Sequence, residues 1–249
     1  MCLILVAWQT HPDFPLVIAA NRDEFHARPT AAVGRWEDAP AIIAGRDLEA
    51  GGTWLGITDT GRFAAVTNVR EPGQPKGRLS RGELTAAFLA GDETPADFAA
   101  HIDDSAYSGF NLLLADRQQL CYRSNRDGAV RMLPPGIYGV SNHLLDTPWP
   151  KLETAKAGFA HALRALPDTT GLFAILADRE IVPDTRLPAT GVPLEWERLL
   201  SAIFVCSPTY GTRASTVVLR HADGHARIEE RSFAADGQQL QSSVISTGV

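Results

Sequence analysis

Cysteine is the second residue of the chain, and it leads directly into the apolar run Leu3-Ile4-Leu5-Val6-Ala7-Trp8. An initiator methionine is readily trimmed when the next side chain is small. Trimming here would leave a thiol and a free α-amine on one carbon. An α-amine has an unperturbed pKa of about 7.7–8, so near neutral pH it can take the proton of its own thiol. Nucleophile and base would then share one residue, the logic of N-terminal-nucleophile hydrolysis. A buried cysteine behind a retained methionine is the alternative, because free cysteines commonly behave as small core hydrophobes.

The second chemical signal is Asn21-Arg22-Asp23-Glu24, which follows the apolar run Leu16–Ala20. Four consecutive polar side chains at the end of a buried strand are costly unless they are paired or used. An Arg–carboxylate network that merely closes the strand is one reading. The other follows from hairpin geometry. If Cys2–Trp8 and Leu16–Ala20 pair across His11-Pro12-Asp13-Phe14-Pro15, the loop centre lies near residue 12. Positions equidistant from that centre pair, so Cys2 falls opposite Asn21–Asp23.

The elements that must hold these residues can be read from pattern and punctuation. Further strands are expected at Ala41–Ala44, Thr53–Ile57 and Arg62–Thr67, with Asp59-Thr60-Gly61 turning between the last two. Ser80-Arg81-Gly82-Glu83 has capping-box spacing before an apolar helix that Gly91 stops, and Thr94-Pro95 opens a second helix. Strands resume at Gly109–Ala115, Gln119–Arg123 and Ala129–Met132. A long helix from Thr147-Pro148 to Leu166 and a shorter one from Leu172 to Ala177 follow. Thr212–His221 and Ala226–Phe233 flank Asp223-Gly224, the strongest hairpin signal in the chain. Strands and helices in blocks predict an α+β fold with largely antiparallel sheets, in one domain spanning residues 1–249.

The 249 residues carry a formal net charge of −6 and scattered basic residues, which leaves no footprint for nucleic acid. No stretch approaches the roughly 18 apolar residues of a membrane span, and the apolar start lacks the basic flank of a signal peptide. Three cysteines without CxxC spacing give no disulfide framework or zinc site, so a reducing, cytoplasmic setting is expected. Cys121 and Cys206 read as buried small residues. Gly51-Gly52-Thr53-Trp54 matches no phosphate-binding motif and reads as a tight turn needing close backbone approach, with Trp54 a packing residue by its size. His221 and His225 flank a turn, a poor arrangement for a metal, and no cofactor is expected.

Together, Met1-Cys2 with its strand, Ala20-Asn21-Arg22-Asp23-Glu24, Gly45-Arg46-Asp47, Gly51-Gly52-Thr53-Trp54-Leu55-Gly56 and Thr67-Asn68-Val69-Arg70 resemble the NRDE family, the transport and Golgi organization protein 2 family. Gly139-Val140-Ser141-Asn142-His143 and Tyr210-Gly211-Thr212-Arg213 extend the resemblance over essentially the whole chain. It implies the four-layer αββα sandwich of N-terminal-nucleophile hydrolases. The layout is also similar, more distantly, to cholylglycine hydrolases and penicillin V acylases, which cleave amides with an N-terminal cysteine.

Carried over, that similarity implies Cys2 as nucleophile and Asp23 as the group orienting it. It also implies Asn142, with Asn68 beside it, at the oxyanion, and Arg213 supporting the site. Arg22 departs from the pattern. There the arginine precedes the aspartate by three positions, which in this chain is Ala20. Asn21, Glu24 and Trp54 are the remaining candidate substrate contacts. The implied chemistry is hydrolysis of an amide or thioester in a small acylated substrate. The family also implies an alternative, a non-catalytic protein that binds and traffics haem, acyl-CoA or lipid, for which His26, His143 and Cys2 would be the nearest haem ligands.

Overall fold

A computed structural model describes residues 2–248. Its strands form two antiparallel sheets. The first has the order β10-β1-β2-β11-β12-β13, from β1 (Cys2–Trp8), β2 (Leu16–Phe25), β10 (Gly136–Val140), β11 (Tyr210–Arg220), β12 (Ala226–Phe233) and β13 (Gln239–Ser246). The second runs in chain order from β3 (Thr30–Arg35) through β4 (Ile42–Asp47), β5 (Leu55–Thr58), β6 (Phe63–Asn68), β7 (Phe110–Ala115) and β8 (Leu120–Ser124) to β9 (Val130–Met132).

Strand alternation explains how the layers stack. On β1, Ile4, Val6 and Trp8 point between the sheets, where they join Leu16 and Ile18 of β2 and Phe63, Leu113 and Tyr122 of the second sheet. Leu3, Leu5 and Ala7 point the other way, onto α3 (Pro150–Ala162) and α4 (Thr170–Leu176), against Phe159, Leu172 and Leu176. The outer face of the second sheet is covered by α1 (Arg81–Ala90) through Leu84, Phe88 and Leu89 and by α2 (Pro95–Ala100) through Phe98 and Ala99. The sandwich is therefore helix, sheet, sheet, helix, as the resemblance implied. A strand buried on both faces reads as a continuous apolar run, which is what residues 3–8 are. Each such Leu, Ile or Phe contributes about 1.5–3 kcal/mol by its burial.

Several elements depart from the expectations. β2 continues through Asn21-Arg22-Asp23-Glu24 instead of ending at Ala20. β3, β10 and β13 are strands that composition hid. β3 and β10 are rich in Ala and Gly, β13 is polar, and β10 and β13 lie at a sheet edge where only one neighbour is needed. A short α5 (Leu194–Leu199) was also unforeseen. Ser80 precedes α1 as expected but makes no side-chain capping bond, whereas the Thr94 hydroxyl does cap α2, accepting from the Asp97 N–H.

The Gly51-Gly52 turn behaves as read. Thr53 N–H donates to the Gly82 carbonyl at 3.1 Å, drawing the turn onto the start of α1. A Cβ at Gly52 would lie 2.5 Å from the Gly82 carbonyl carbon, backbone that cannot swing aside. Gly52→Ala is accordingly expected to destabilise by about 1–3 kcal/mol through overpacking. A melting temperature equal to that of the unaltered protein would contradict this. No helix among the described residues is long and apolar enough to cross a membrane.

Candidate functional site

The β1–β2 register pairs Cys2 with Arg22 directly, Leu3 with Asn21 and Ile4 with Ala20. Directly opposed residues of an antiparallel pair project to the same side with Cβ atoms about 4.5–5.5 Å apart. Cys2 and Arg22 thus share the inter-sheet face, at the end where the two sheets part. A cavity of about 380 Å³ opens there, lined by Cys2, Arg22, Asp23, Glu24, Trp54, Asn68 and Arg81 among others. Cys2 itself is only 7% exposed.

Burial pushes the Cys2 thiol above its ordinary pKa, and the Asp23 carboxylate adds to the effect. Arg22 and the backbone N–H of Asp23 favour the thiolate and work against it. Asp23 is buried and raised for the same leading reason, while Lys151, the Thr212 hydroxyl and Arg22 draw it back down. Thr212 donates to Asp23 Oδ1 at 2.7 Å and Tyr210 Oη donates to the Asp23 carbonyl at 3.0 Å. Thr212 can do this because β11 pairs it with Asp23, just before a bulge at Arg213. Arg22 donates to Thr30 Oγ1 at 3.3 Å and stands 4.0 Å from Glu24.

Asn68, at the end of β6, lines the cavity. Asn142 lies behind it, fully buried. Its Nδ2 donates to the Asn68 carbonyl at 3.1 Å and to Asn68 Oδ1 at 3.0 Å. Its Oδ1 accepts from Ser141 Oγ at 3.2 Å, and that hydroxyl also lies 2.9 Å from the Cys2 carbonyl. With Oδ1 of Asn68 held by Asn142, the donor end of the Asn68 amide is the one left for the cavity. The resemblance implied both asparagines at the oxyanion; the structure brings them together, with Asn68 lining the cavity and Asn142 bonded to it from behind.

Two other candidates face elsewhere. Asn21 alternates to the helix side of the sheet, where Nδ2 donates to the Leu176 and Ile203 carbonyls at 2.8 and 2.9 Å and Oδ1 accepts from Ser215. Fully buried and fully engaged, it ties α4 and the chain before β11 onto β2 and has nothing to offer a substrate. Arg213 is turned out by the bulge and donates to the Phe25, His26 and Arg28 carbonyls at 3.0, 3.3 and 3.0 Å. It braces the β2–β3 turn and borders a neighbouring cavity of about 200 Å³, not that of Cys2. His26 and His143 do not line the Cys2 cavity either. No cluster of three or more His, Cys, Asp or Glu among the described residues could hold a metal ion.

The structure also brings in groups that the sequence reading passed over. Arg81, the first residue of α1, lines the cavity and donates to the Gly109 carbonyl at 3.0 Å; burial lowers its pKa. Beneath the site lie Lys151 of α3, Arg70 and Glu197 of α5. Lys151 could have been found by helix phase, since it falls on the stripe of Ala155, Phe159 and Ala162 that α3 buries.

The αββα layering and a cysteine at the head of strand β1 define the class as the N-terminal-nucleophile hydrolase fold. Solved structures agree in fold. An N-acylethanolamine-hydrolyzing acid amidase ortholog from Caenorhabditis elegans superimposes with a TM-score of 0.52 at 12% identity, over 88% of this chain and 92% of that one. The C2A mutant of conjugated bile acid hydrolase from Clostridium perfringens gives 0.50 at 9% identity, over 98% and 92%. The chain belongs to the Transport and Golgi organisation 2 family, whose profile matches residues 1–235. The bovine Transport and Golgi organization protein 2 homolog is 38% identical over 259 residues, covering 94% of this chain and 93% of its own. The Drosophila melanogaster protein is 28% identical over 271 residues, covering 94% and 92%.

Proposed function

We propose that the chain is an N-terminal-cysteine hydrolase that cleaves an amide or thioester bond in a small acylated substrate. The observation that carries this reading is that Cys2 and Asn68 line one cavity, beside a cation and a buried carboxylate. After removal of Met1, the α-amine of Cys2 takes the thiol proton, and the thiolate attacks the acyl carbonyl. The Asn68 amide donates to the oxyanion, with Asn142 holding it in place. Collapse breaks the C–N or C–S bond, the ammonium returns its proton to the leaving group, and water then hydrolyses the thioester on Cys2.

The lining suggests the kind of leaving group. Six cations (Arg22, Arg28, Arg46, Lys76, Arg78 and Arg81) outnumber the four carboxylates of Asp23, Glu24, Asp47 and Glu49 in the same cavity. Asp38 and Asp103, outside the lining, pair with Arg46 and Arg78, yet in a chain of net charge −6 a lining so rich in arginine still favours an anionic group over a cationic one.

The test is intact-mass analysis of protein lacking Met1 after exposure to acyl thioesters and amides whose leaving groups carry, or lack, a phosphate. An acyl adduct on Cys2 that Cys2→Ala cannot form is expected, faster with the phosphate. Absence of both adduct and turnover across the panel would remove the reading. One observation favours a second one. Burial raises the Cys2 thiol above its ordinary pKa, which disfavours the thiolate and suits a site that holds an acyl-CoA, lipid or haem ligand without turning it over. Saturable binding with no acyl product would select it.

A further inference from the structure

Cys2 heads a row of directly paired residues that crosses the first sheet. It pairs with Arg22, Arg22 with Ala214, Ala214 with Ser232 and Ser232 with Gln241. Directly opposed residues share a face, so the row points between the sheets, on the side of Ala20, Val218 and Ile228. Neighbouring strands lie about 4.8 Å apart, which puts Gln241 about 19 Å from Cys2 along the row. Arg22, Ala214, Ser232 and Gln241 all line the cavity of about 200 Å³ next to that of Cys2. Its roof belongs to the second sheet, with Ala31 of β3 and Gly45 of β4. Arg22, Thr30, Gly45 and Trp54 line both cavities, so the two meet one strand away from Cys2. A Cβ at Gly45 would stand 3.1 Å from the Ala31 carbonyl oxygen and 3.7 Å from Glu230 Oε2. Glycine keeps that junction clear.

The two cavities differ in chemistry. The charged heads around the second are committed to protein partners. Arg213 donates to three backbone carbonyls, and Arg22 donates to Thr30. Glu230 accepts from Val33 N–H at 2.8 Å and from Thr216 Oγ1 at 3.3 Å. What remains for a ligand is the apolar stems of these residues with Trp54, Ala214, Phe233 and Leu240. Leu240, 67% exposed, is a large apolar side chain left in water at the far end of this lining. A carbonyl under attack by Cys2 carries its acyl group to one side and its leaving group to the other. We infer that the second cavity is the acyl subsite of the Cys2 centre. It takes an unbranched fatty-acyl chain along the row from Arg22 to Gln241, while an anionic leaving group occupies the cationic cavity.

The acyl role rests on the proposed hydrolysis, but occupancy of the subsite can be read without turnover. Octanoate and acetate, the carboxylates that two such substrates would release, are compared as protectants of Cys2 against iodoacetamide. Labelling is followed at the N-terminal peptide, so that Cys121 and Cys206 do not contribute, and each protein is referred to its own unprotected rate. A methylene moved out of water tightens binding about fourfold, so octanoate is expected to protect at least about a hundredfold more tightly than acetate. Ala214→Phe fills the row two strand spacings from Cys2 and is expected to abolish that advantage. If Ala214→Phe does not fold, Ser232→Phe, at a half-buried position one strand further out, decides, and octanoate should lose most of its advantage there. Octanoate no better than acetate would overturn the proposal, as would an undiminished advantage in a folded, filled variant. Failure of the hydrolase reading would show separately, as absence of an acyl adduct from acetyl or octanoyl thioesters on a thiol that octanoate still shields.

Discussion

Asn68→Ala is expected to slow acylation of Cys2 by about 10²–10³-fold, the loss that accompanies removal of one oxyanion donor. The same variant should alkylate with iodoacetamide at the unaltered rate, since that displacement develops no oxyanion. The contrast separates a lost donor from a damaged thiol. Asn142→Ala is expected to slow acylation as well, because without the bonds at 3.1 and 3.0 Å the Asn68 amide is free to turn. Residues acting as a unit are not additive, so the double variant should be no slower than Asn68→Ala alone. Normal acylation in Asn68→Ala together with a crippled Asn142→Ala would place the Asn142 amide at the carbonyl and refute the order argued from the cavity lining. Single-turnover acylation followed by mass provides the measurement.

Hairpin arithmetic made the centre of this site legible in the sequence. The loop centre near residue 12 put Cys2 opposite Asn21–Asp23, and the ladder pairs it with Arg22. Which side of β2 each polar residue takes is also a matter of parity. With Leu16, Ile18 and Ala20 facing the second sheet, Arg22 and Glu24 must join Cys2, and Asn21 must face the helices. That step required β2 to run on past Ala20, where four polar residues resemble the end of a strand. The bulge that turns out Arg213 has no signature in Tyr210-Gly211-Thr212-Arg213-Ala214. It arises from pairing with β2, a long-range event. The same holds for Glu197, whose partner Arg70 is 127 residues away. Local pattern fixes helices and hairpins, but not which distant loops exchange charges underneath them.

Glu197→Gln is expected to destabilise the protein by about 3–5 kcal/mol, the penalty for leaving one member of a buried ion pair uncompensated. The side chains of Arg70 and Glu197 are 3% and 5% exposed and meet at 2.6 Å. In a domain of this size that corresponds to a fall in melting temperature of roughly 10 °C. The loss should not stop at stability. Arg70 N–H donates to the Asn142 carbonyl at 2.7 Å, so the pair that fixes Arg70 also fixes the backbone carrying the second asparagine. Acylation of Cys2 should therefore slow even at temperatures where the variant is fully folded. Replacing both partners with apolar residues, Arg70→Met with Glu197→Leu, removes the orphaned charge and should recover most of the stability. It should not recover the acylation rate, because the ion pair that fixes Arg70, and through its N–H the Asn142 carbonyl, is gone. Full recovery of both properties would mean that the pair serves packing alone and that the polar floor of the cavity is set without it.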